Sequence, residues 1–383
     1  MGNLNKPNIR FPEFEGEWIK NTLGEIARFS KGKGLPKSDI AENGATACIR
    51  YGELYTTYNE TIDAVYSKTN INPADLVLSE ANDIIVPASG ETHIDIAKAS
   101  CVLKSGVALG GDLNIIKTSN NGVFLSYYLN SKKKNDIAQL AQGISVVHLY
   151  SGQLSKLLLN IPSLPEQQKI ASFFTAIDQK LSQFKQKKFL LEQYKNGVMQ
   201  KIFSQAIRFK DDNGQEFPKW ENMRLKDVAE IKYGKDQKDI ACENGKYPIL
   251  GTGGEMGRTN EFLSDKPSVL IGRKGTIDKP LFIDTPFWTV DTLFYTIVLS
   301  NVNPKWLFYN LTKTNWYKYN EASGVPSLSA STINKIPISL PNLAEQTKIA
   351  SFLSAVDDKI NRTQKQIEKV EVWKKGLLQQ MFV

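Results

Sequence analysis

Pro162-SLPEQQKIASFFTAIDQKLSQFKQKKFLLEQYKNGVMQKIF-Ser204 decides the fold, because it returns as Pro341-NLAEQTKIASFLSAVDDKINRTQKQIEKVEVWKKGLLQQMF-Val383. Aligned without a gap, 17 of 43 positions are identical, among them Glu166/Glu345, Gln167/Gln346, Asp178/Asp357 and Gly197/Gly376. A repeat of this kind governs every later reading of the chain. A fainter echo precedes each copy. Asn21-TLGEIARFSKGKG resembles Met223-RLKDVAEIKYGK, Ala41-ENG matches the end of Ala241-CENG, and Phe11-Pro12 returns as Phe217-Pro218. The chain is two tandem half-units of unequal size, each a long variable region followed by a similar segment.

Both copies of the segment have helical periodicity. Steps of four and three place Ile170, Phe174, Ile177, Leu181, Phe184, Lys188, Leu191, Lys195, Val198 and Ile202 on one stripe. The same register in the second copy gives Ile349, Leu353, Val356, Ile360, Thr363, Ile367, Val370, Lys374, Leu377 and Met381. A heptad register sustained this long is a coiled-coil signature. Pro165, Pro341 and the early Glu166 and Glu345 suit helix starts. A helix of roughly 38 residues is about 57 Å long and has an apolar stripe to bury. Either each helix packs on its own domain or the two pack on each other. An antiparallel coiled coil is the expectation, with a pseudo-two-fold axis relating the half-units. Lys188, Lys195, Thr363 and Lys374 would then weaken the seam while restricting its register.

The variable regions have another texture. Asp83-IIVPASG, Cys101-VLKSG, Asp112-LNIIKTSNNG, Ser268-VLIGRKG, Leu281-FIDTPFW and Leu293-FYTIVLS read as strands bounded by turn residues. Helix is expected at 123–136 and 303–311. The fold class is therefore α+β: two mixed α/β domains separated by two long helices.

The composition narrows the function. Forty-eight Lys and Arg against 40 Asp and Glu give a net charge of +8, which permits a polyanionic partner without proving one. Cys48, Cys101 and Cys242 are an odd, scattered set, which argues against a disulfide framework and for a reducing compartment. No apolar stretch approaches the roughly 20 residues of a membrane span, and the N-terminal MGNLNKPNIRFPEFEGEW lacks the apolar core of a secretory signal. A cytoplasmic location and no membrane partner are expected. His93 and His148 cannot make a Cys/His zinc site with those cysteines, so no metal is expected. Gly251-TGGEMGRT has five residues between Gly251 and Gly257 and Arg258 where a phosphate loop has Lys; it reads as a turn between strands. No nucleotide-binding or methyltransferase motif appears, and His148, among apolar neighbours, reads as structural. No catalytic residue and no cofactor is assigned.

Basic residues do recur beside aromatics and glycines, in Arg28-FSKGKG, Arg50-YGELY, Tyr233-GKDQK and Ile271-GRKGTID. Lys and Arg on flexible backbone can reach phosphates, and Arg can read guanine edges. The first repeated segment carries seven lysines against three acidic residues between 166 and 204, which suits either a duplex or a solvated face.

The Pro-x-Leu-x-Glu-Gln-x-Lys-Ile-Ala-x-Phe motif at Pro162–Phe173 and again at Pro341–Phe352, with Arg10-FPEFEGEW, Leu23–Ala27 and Phe217-PKW, resembles the DNA-specificity subunits of type I restriction–modification systems. The resemblance covers essentially the whole chain. It implies a non-catalytic protein with target-recognition domains at 1–161 and 207–340 and conserved spacer helices at 162–206 and 341–383. It also implies an asymmetric, bipartite double-stranded DNA site, two methyltransferase subunits that methylate adenine, and restriction subunits in the full complex. The loop candidates for DNA contact are Lys33, Arg50, Tyr51, Ser89 and His93 in the first domain. In the second they are Lys235, Arg258, Arg273, Lys274 and Thr276. A second reading, a two-domain coiled-coil interaction scaffold that does not bind DNA, fits the same pattern; salt-dependent duplex binding separates the two.

Overall fold

The computed structural model describes residues 5–383; the first four residues of the N-terminal stretch read above as no signal lie outside them. The chain divides into two compact units, one of residues up to Lys185 together with Lys365–Val383, the other Gln186–Gln364. The two long helices are Leu164–Phe203 and Leu343–Gln380, so each unit contains the first half of one and the second half of the other.

The first unit is built on a five-stranded sheet ordered Ala27–Lys31, Leu113–Thr118, Asp83–Pro87, Ser100–Val102 and Thr61–Ile62. The central run Asp83–Pro87 is buried throughout, as expected of a strand covered on both faces. A three-stranded sheet of Ser67–Thr69, Thr46–Ile49 and Ala108–Leu109 adjoins it in sequence, with the Cys48–Ala108 pairing parallel. The ribbon Ile19–Thr22/Leu158–Ile161 closes the chain just before the long helix begins. Helix Gly122–Asn130 packs into the core through Phe124, Tyr127 and Tyr128.

The second unit repeats this plan. Its four-stranded sheet is Ala229–Tyr233, Leu293–Val298, Ser268–Gly272 and Leu281–Ile283; a three-stranded sheet again contains one parallel pairing, Ile249–Trp288. The closing ribbon is Glu221–Arg224/Pro337–Leu340, and helix Pro304–Thr312 takes the place of Gly122–Asn130. Gly251-TGGEMGRT is the hairpin between Tyr247–Gly251 and Gly254–Thr259, turned at Gly254 with φ +109.

Two local differences from the sequence reading stand out. Helix is not continuous over 123–136: it stops at Asn130 and resumes at Lys134. The Ser131 hydroxyl bonds the Tyr127 carbonyl (2.6 Å), while the Asn130 amide is committed to the backbone of Ala99 at 2.7 and 2.8 Å. Such side-chain bonds compete with helix propagation. Second, Phe11 has its structural counterpart in Phe209 rather than Phe217. Phe11 packs on Phe173 at 5.6 Å and Phe209 on Phe352, one repeat on, at 5.7 Å. The turn that brings Lys210 against Glu216 is inserted after Phe209 and displaces the Phe-Pro pair along the chain.

Within each unit the helix halves pair antiparallel. In the first, Phe173 lies 6.0 Å from Trp373, Asp178 binds Lys374 at 2.7 Å and Lys185 binds Glu371 at 2.8 Å. In the second, Lys195 binds Asp357 at 2.6 Å. Ile170, Phe174, Ile177, Ile202, Ile349, Leu353, Val356, Ile367, Leu377 and Met381 are buried, and Leu181, Phe184, Leu191, Val198, Ile360 and Val370 are half-buried. Of the polar stripe positions, Thr363 is buried with its hydroxyl on the Lys359 carbonyl, Lys188 pairs with Glu192, and Lys195 and Lys374 each hold an aspartate. The start of the first helix does not pack on the second helix alone. Ile170, Phe174 and Ile177 enter the core of the first unit beside Leu377, Met381 and Phe382 from the end of the second helix.

Candidate nucleic-acid interface

The recurrent Glu-Gln pair is what fixes each α/β body to its helix. Glu166 is 1% exposed; it accepts two bonds from Arg10 (2.8 and 2.7 Å) and one from the Trp18 indole (3.3 Å). Glu345 repeats this with Arg208 (3.1 and 2.6 Å) and Trp220 (2.9 Å). A buried carboxylate is tolerable only when paired and hydrogen-bonded in this way. The pairing holds the Arg10 and Arg208 guanidinium groups above their ordinary pKa, through the bonds to Glu166 and Glu345. Gln167 donates to the Pro162 carbonyl and the Asn120 side chain and accepts from the Asn121 N–H; Gln346 donates to the Pro341 and Asn301 carbonyls and accepts from the Asn303 N–H. Asn121 and Asn303 are themselves the N-caps of the two short helices. One turn of the long helix thus sets the position of a helix in the body that precedes it.

Farther along, Tyr127 donates to Asp178 (2.6 Å) and Tyr309 to Asp357 (2.7 Å), with Lys374 and Lys195 each 5.2 Å over the corresponding tyrosine ring. Burial raises both tyrosine pKa values, and the neighbouring aspartates add to it, so both phenols remain donors.

On these fixed frames the loops carry the variable chemistry. Gly32-Lys33 and Gly234-Lys235 occupy equivalent places. Gly32 N–H bonds Leu113 O (3.0 Å) and Lys33 N–H bonds Leu109 O (3.0 Å); Gly234 bonds Leu293 O (3.1 Å) and Lys235 bonds Thr289 O (2.9 Å). A Cβ at Gly32 would lie 1.9 Å from Gly110 O, and one at Gly234 2.0 Å from Val290 O, so only glycine allows this approach. Both lysines are exposed. Beside them, the strands Asp83–Pro87 and Ser268–Gly272 run into a second pair of equivalent loops. Ala88 is bonded to Asp112 O and Leu149 N–H as Arg273 is to Thr292 O and Leu328 N–H. Ser89 therefore corresponds to Lys274.

The candidate contact residues divide accordingly. In the first unit Lys33 and Arg50 flank the Leu109–Gly110 backbone, since Gly110 N–H bonds Ile49 O. The Arg50 Nε is buried with no partner among the described residues, and Tyr51 and Ser89 line a cleft beside it. His93 is exposed and opens instead onto a separate depression with Asn135 and Gln139. His148 is held by backbone bonds to Gln142 and lies 3.4 Å from Ser89 Oγ. In the second unit Arg273 covers the Tyr233 ring at 5.4 Å and donates to Asp291 O, while Lys274 is exposed and Thr276 half-buried in the same loop. Arg258 lies elsewhere, on the hairpin strand, tied to the Gly245 and Lys246 carbonyls and to Glu255. The Glu-Gln and Tyr-Asp-Lys sets were missing from the candidates; their signal was the identity of Glu166/Glu345, Asp178/Asp357 and Lys195/Lys374.

Among the described residues no group of His, Cys, Asp or Glu is placed to hold a metal ion, and no helix is long and apolar enough to cross a membrane. Two bodies on one repeated helical frame, differing in the basic loops that they present, define a duplicated recognition protein. The chain belongs to the family of the type I restriction modification DNA specificity domain, whose model matches residues 15–193 and 218–372. It is 25% identical to the type I restriction enzyme MjaVIII specificity subunit of Methanocaldococcus jannaschii, over 97% of this chain and 92% of the relative. Its fold is that of the type I restriction-modification S subunit from M. genitalium, at TM-score 0.70 and 17% identity with 99% of each chain covered. A chain from a structure of type I R-M complex assembly and conformational transition matches at TM-score 0.55 and 15% identity, over 94% of this chain and 96% of that one.

Proposed function

We propose that this protein is the DNA-specificity subunit of a type I restriction–modification complex, binding double-stranded DNA at an asymmetric bipartite site. The observation that carries the reading is the pairing of Ala88-Ser89 with Arg273-Lys274: equivalent backbone positions, held by equivalent bonds, with different chemistry at their tips. One frame with two sets of reading side chains is what two unlike half-sites require. The recognition domains are residues 1–161 and 207–340; the helical segments 162–206 and 341–383 set the unread gap, as half-site spacing is set in symmetric DNA-binding dimers.

Lys33, Arg50, Tyr51, Ser89 and His93 contact DNA from the first domain, and Lys235, Arg258, Arg273, Lys274 and Thr276 from the second. The chain itself is non-catalytic and acts in the cytoplasm. Two methyltransferase subunits perform adenine methylation at the site chosen, and restriction subunits join the complete complex. Co-expression with a methyltransferase partner, followed by mapping of modified adenines, tests the reading: one bipartite motif supports it, and an undivided motif, or none, contradicts it.

A further inference from the structure

The cleft that Tyr51 and Ser89 line has a volume of about 740 Å³, large enough for a nucleotide-sized group. Its walls come from helix Glu53–Thr56, the Ser89–Glu91 loop, helix His93–Ile96 and the start of helix Lys134–Leu140. Two features make it more than a gap between elements. Its back is rigid: the Tyr55 hydroxyl donates to Ser89 O at 2.8 Å, and a Cβ at Gly90 would meet that hydroxyl at 3.0 Å and Ile96 at 3.1 Å. Its walls also carry both signs of charge, Lys98 and Lys134 with Glu91 and Asp95.

Lys98 and Lys134 are both half-buried, and neither makes an ion pair with a carboxylate among the described residues. Burial lowers the pKa of Lys98; Glu60 opposes that and Lys134 adds to it. Glu60 lies 3.5 Å from Lys374, which competes for its charge. Glu91 and Asp95 supply the negative charge of the lining; burial raises the Tyr55 pKa, and Tyr51, Asp95 and Glu91 add to it. The Thr92 hydroxyl donates to one oxygen of Asp95 at 2.6 Å, whereas Glu91 is exposed and has no side-chain donor among the described residues.

We infer that this cleft takes one nucleotide of the first half-site, its phosphate between Lys98 and Lys134 and the amino group of an adenine or cytosine on Glu91. The inference rests on the DNA reading above. A half-buried pair of lysines whose nearby carboxylate, Glu60, is shared with Lys374 is relieved by a phosphate, and a carboxylate accepts from the exocyclic amino groups that adenine and cytosine present in the major groove. Tyr51, 6.4 Å from Tyr55 in an edge-on pair, supplies apolar surface on the way in.

The test uses the full chain with its methyltransferase partner. Lys98→Gln with Lys134→Gln should make the fall of log affinity with log salt shallower by about 0.9, one phosphate contact, and leave the methylated motif unchanged. Glu91→Gln should relax or change one position of the first half-site while leaving the second half-site and the salt slope intact. An unchanged slope in the double variant together with an unchanged motif in Glu91→Gln overturns the assignment, as does a free-anion site, seen as inorganic phosphate alone protecting Lys98 from acetylation as well as cognate duplex does. Normal folding of each variant is checked by its melting curve; should the double variant unfold, Lys134→Gln alone keeps the slope test. Wild-type protein that neither binds duplex nor directs methylation would sink the DNA reading itself, a separate outcome.

Discussion

Lys374 holds the carboxylate of Asp178 at 2.7 Å, and one repeat away Lys195 holds Asp357 at 2.6 Å. Because Asp178 repeats as Asp357 and Lys195 as Lys374, a parallel pairing in the register of the repeat would set Asp against Asp and Lys against Lys. The antiparallel pairing sets opposite charges together at both places. Polar groups in a coiled-coil seam are known to fix register and orientation in this way, at some cost in stability.

A double-mutant cycle on Asp178→Asn and Lys374→Met should give a coupling energy of about 1–2 kcal/mol in urea unfolding. The charge exchange Asp178→Lys with Lys374→Asp should recover only part of the loss, because Tyr127 also donates to Asp178 at 2.6 Å. Additive single effects would show that the pair does not couple the helices.

Phe382 is 2% exposed and sits among Trp18, Phe124, Tyr128 and Phe174 at 5.3–6.4 Å. Phe382→Ala should cost about 3–5 kcal/mol, the usual range for a buried aromatic. Phe203, its repeat counterpart, is only half-buried, 6.5 Å from Trp220 and 6.4 Å from Trp306, so Phe203→Ala should cost less. Chemical denaturation of the two variants compares them.

Thiol chemistry should be confined to one residue. Burial pushes Cys48 up to about 11 and Cys101 up to about 12, whereas Cys242 is exposed. Since the thiolate is the nucleophile, iodoacetamide at neutral pH should label Cys242 in the native protein and all three only after unfolding; mass spectrometry of the peptides reads this directly.

The repeat made the long helices legible, because a 3.5-residue period survives without any knowledge of partners, and the strand runs were legible as apolar stretches between turn residues. The break at Ser131 was not, since it depends on Asn130 reaching Ala99, 31 residues away in sequence. The structural counterpart of Phe11 is hidden for a related reason: Phe-Pro recurs as letters at Phe217-Pro218, while the contact with Phe173 and Phe352 follows Arg10 and Arg208. Basic loops could be nominated from sequence, and the echo of Asn21-TLGEIARFSKGKG in Met223-RLKDVAEIKYGK already aligns Lys33 with Lys235. The rest of the grouping was not legible: Arg258, equally basic, is turned back onto its own hairpin by bonds to the Gly245 and Lys246 carbonyls.

Arg273→Ala removes a guanidinium that covers Tyr233 at 5.4 Å at the edge of the second body. It should weaken duplex binding by about tenfold or relax one position of the second half-site, in keeping with the roughly 1–3 kcal/mol of a base contact. Titration of labelled duplex against wild type and variant at one salt concentration measures it. Unchanged affinity and motif would remove Arg273 from the interface.

The central claim is that one repeated frame carries two independent readers. Replacing residues 1–161 by the corresponding domain of another specificity subunit, co-expressing the hybrid with the methyltransferase partner and mapping modified adenines tests it most directly. The account predicts a bipartite motif in which one half changes and the other is retained. A hybrid motif altered in both halves, or left as in the parent, would contradict it.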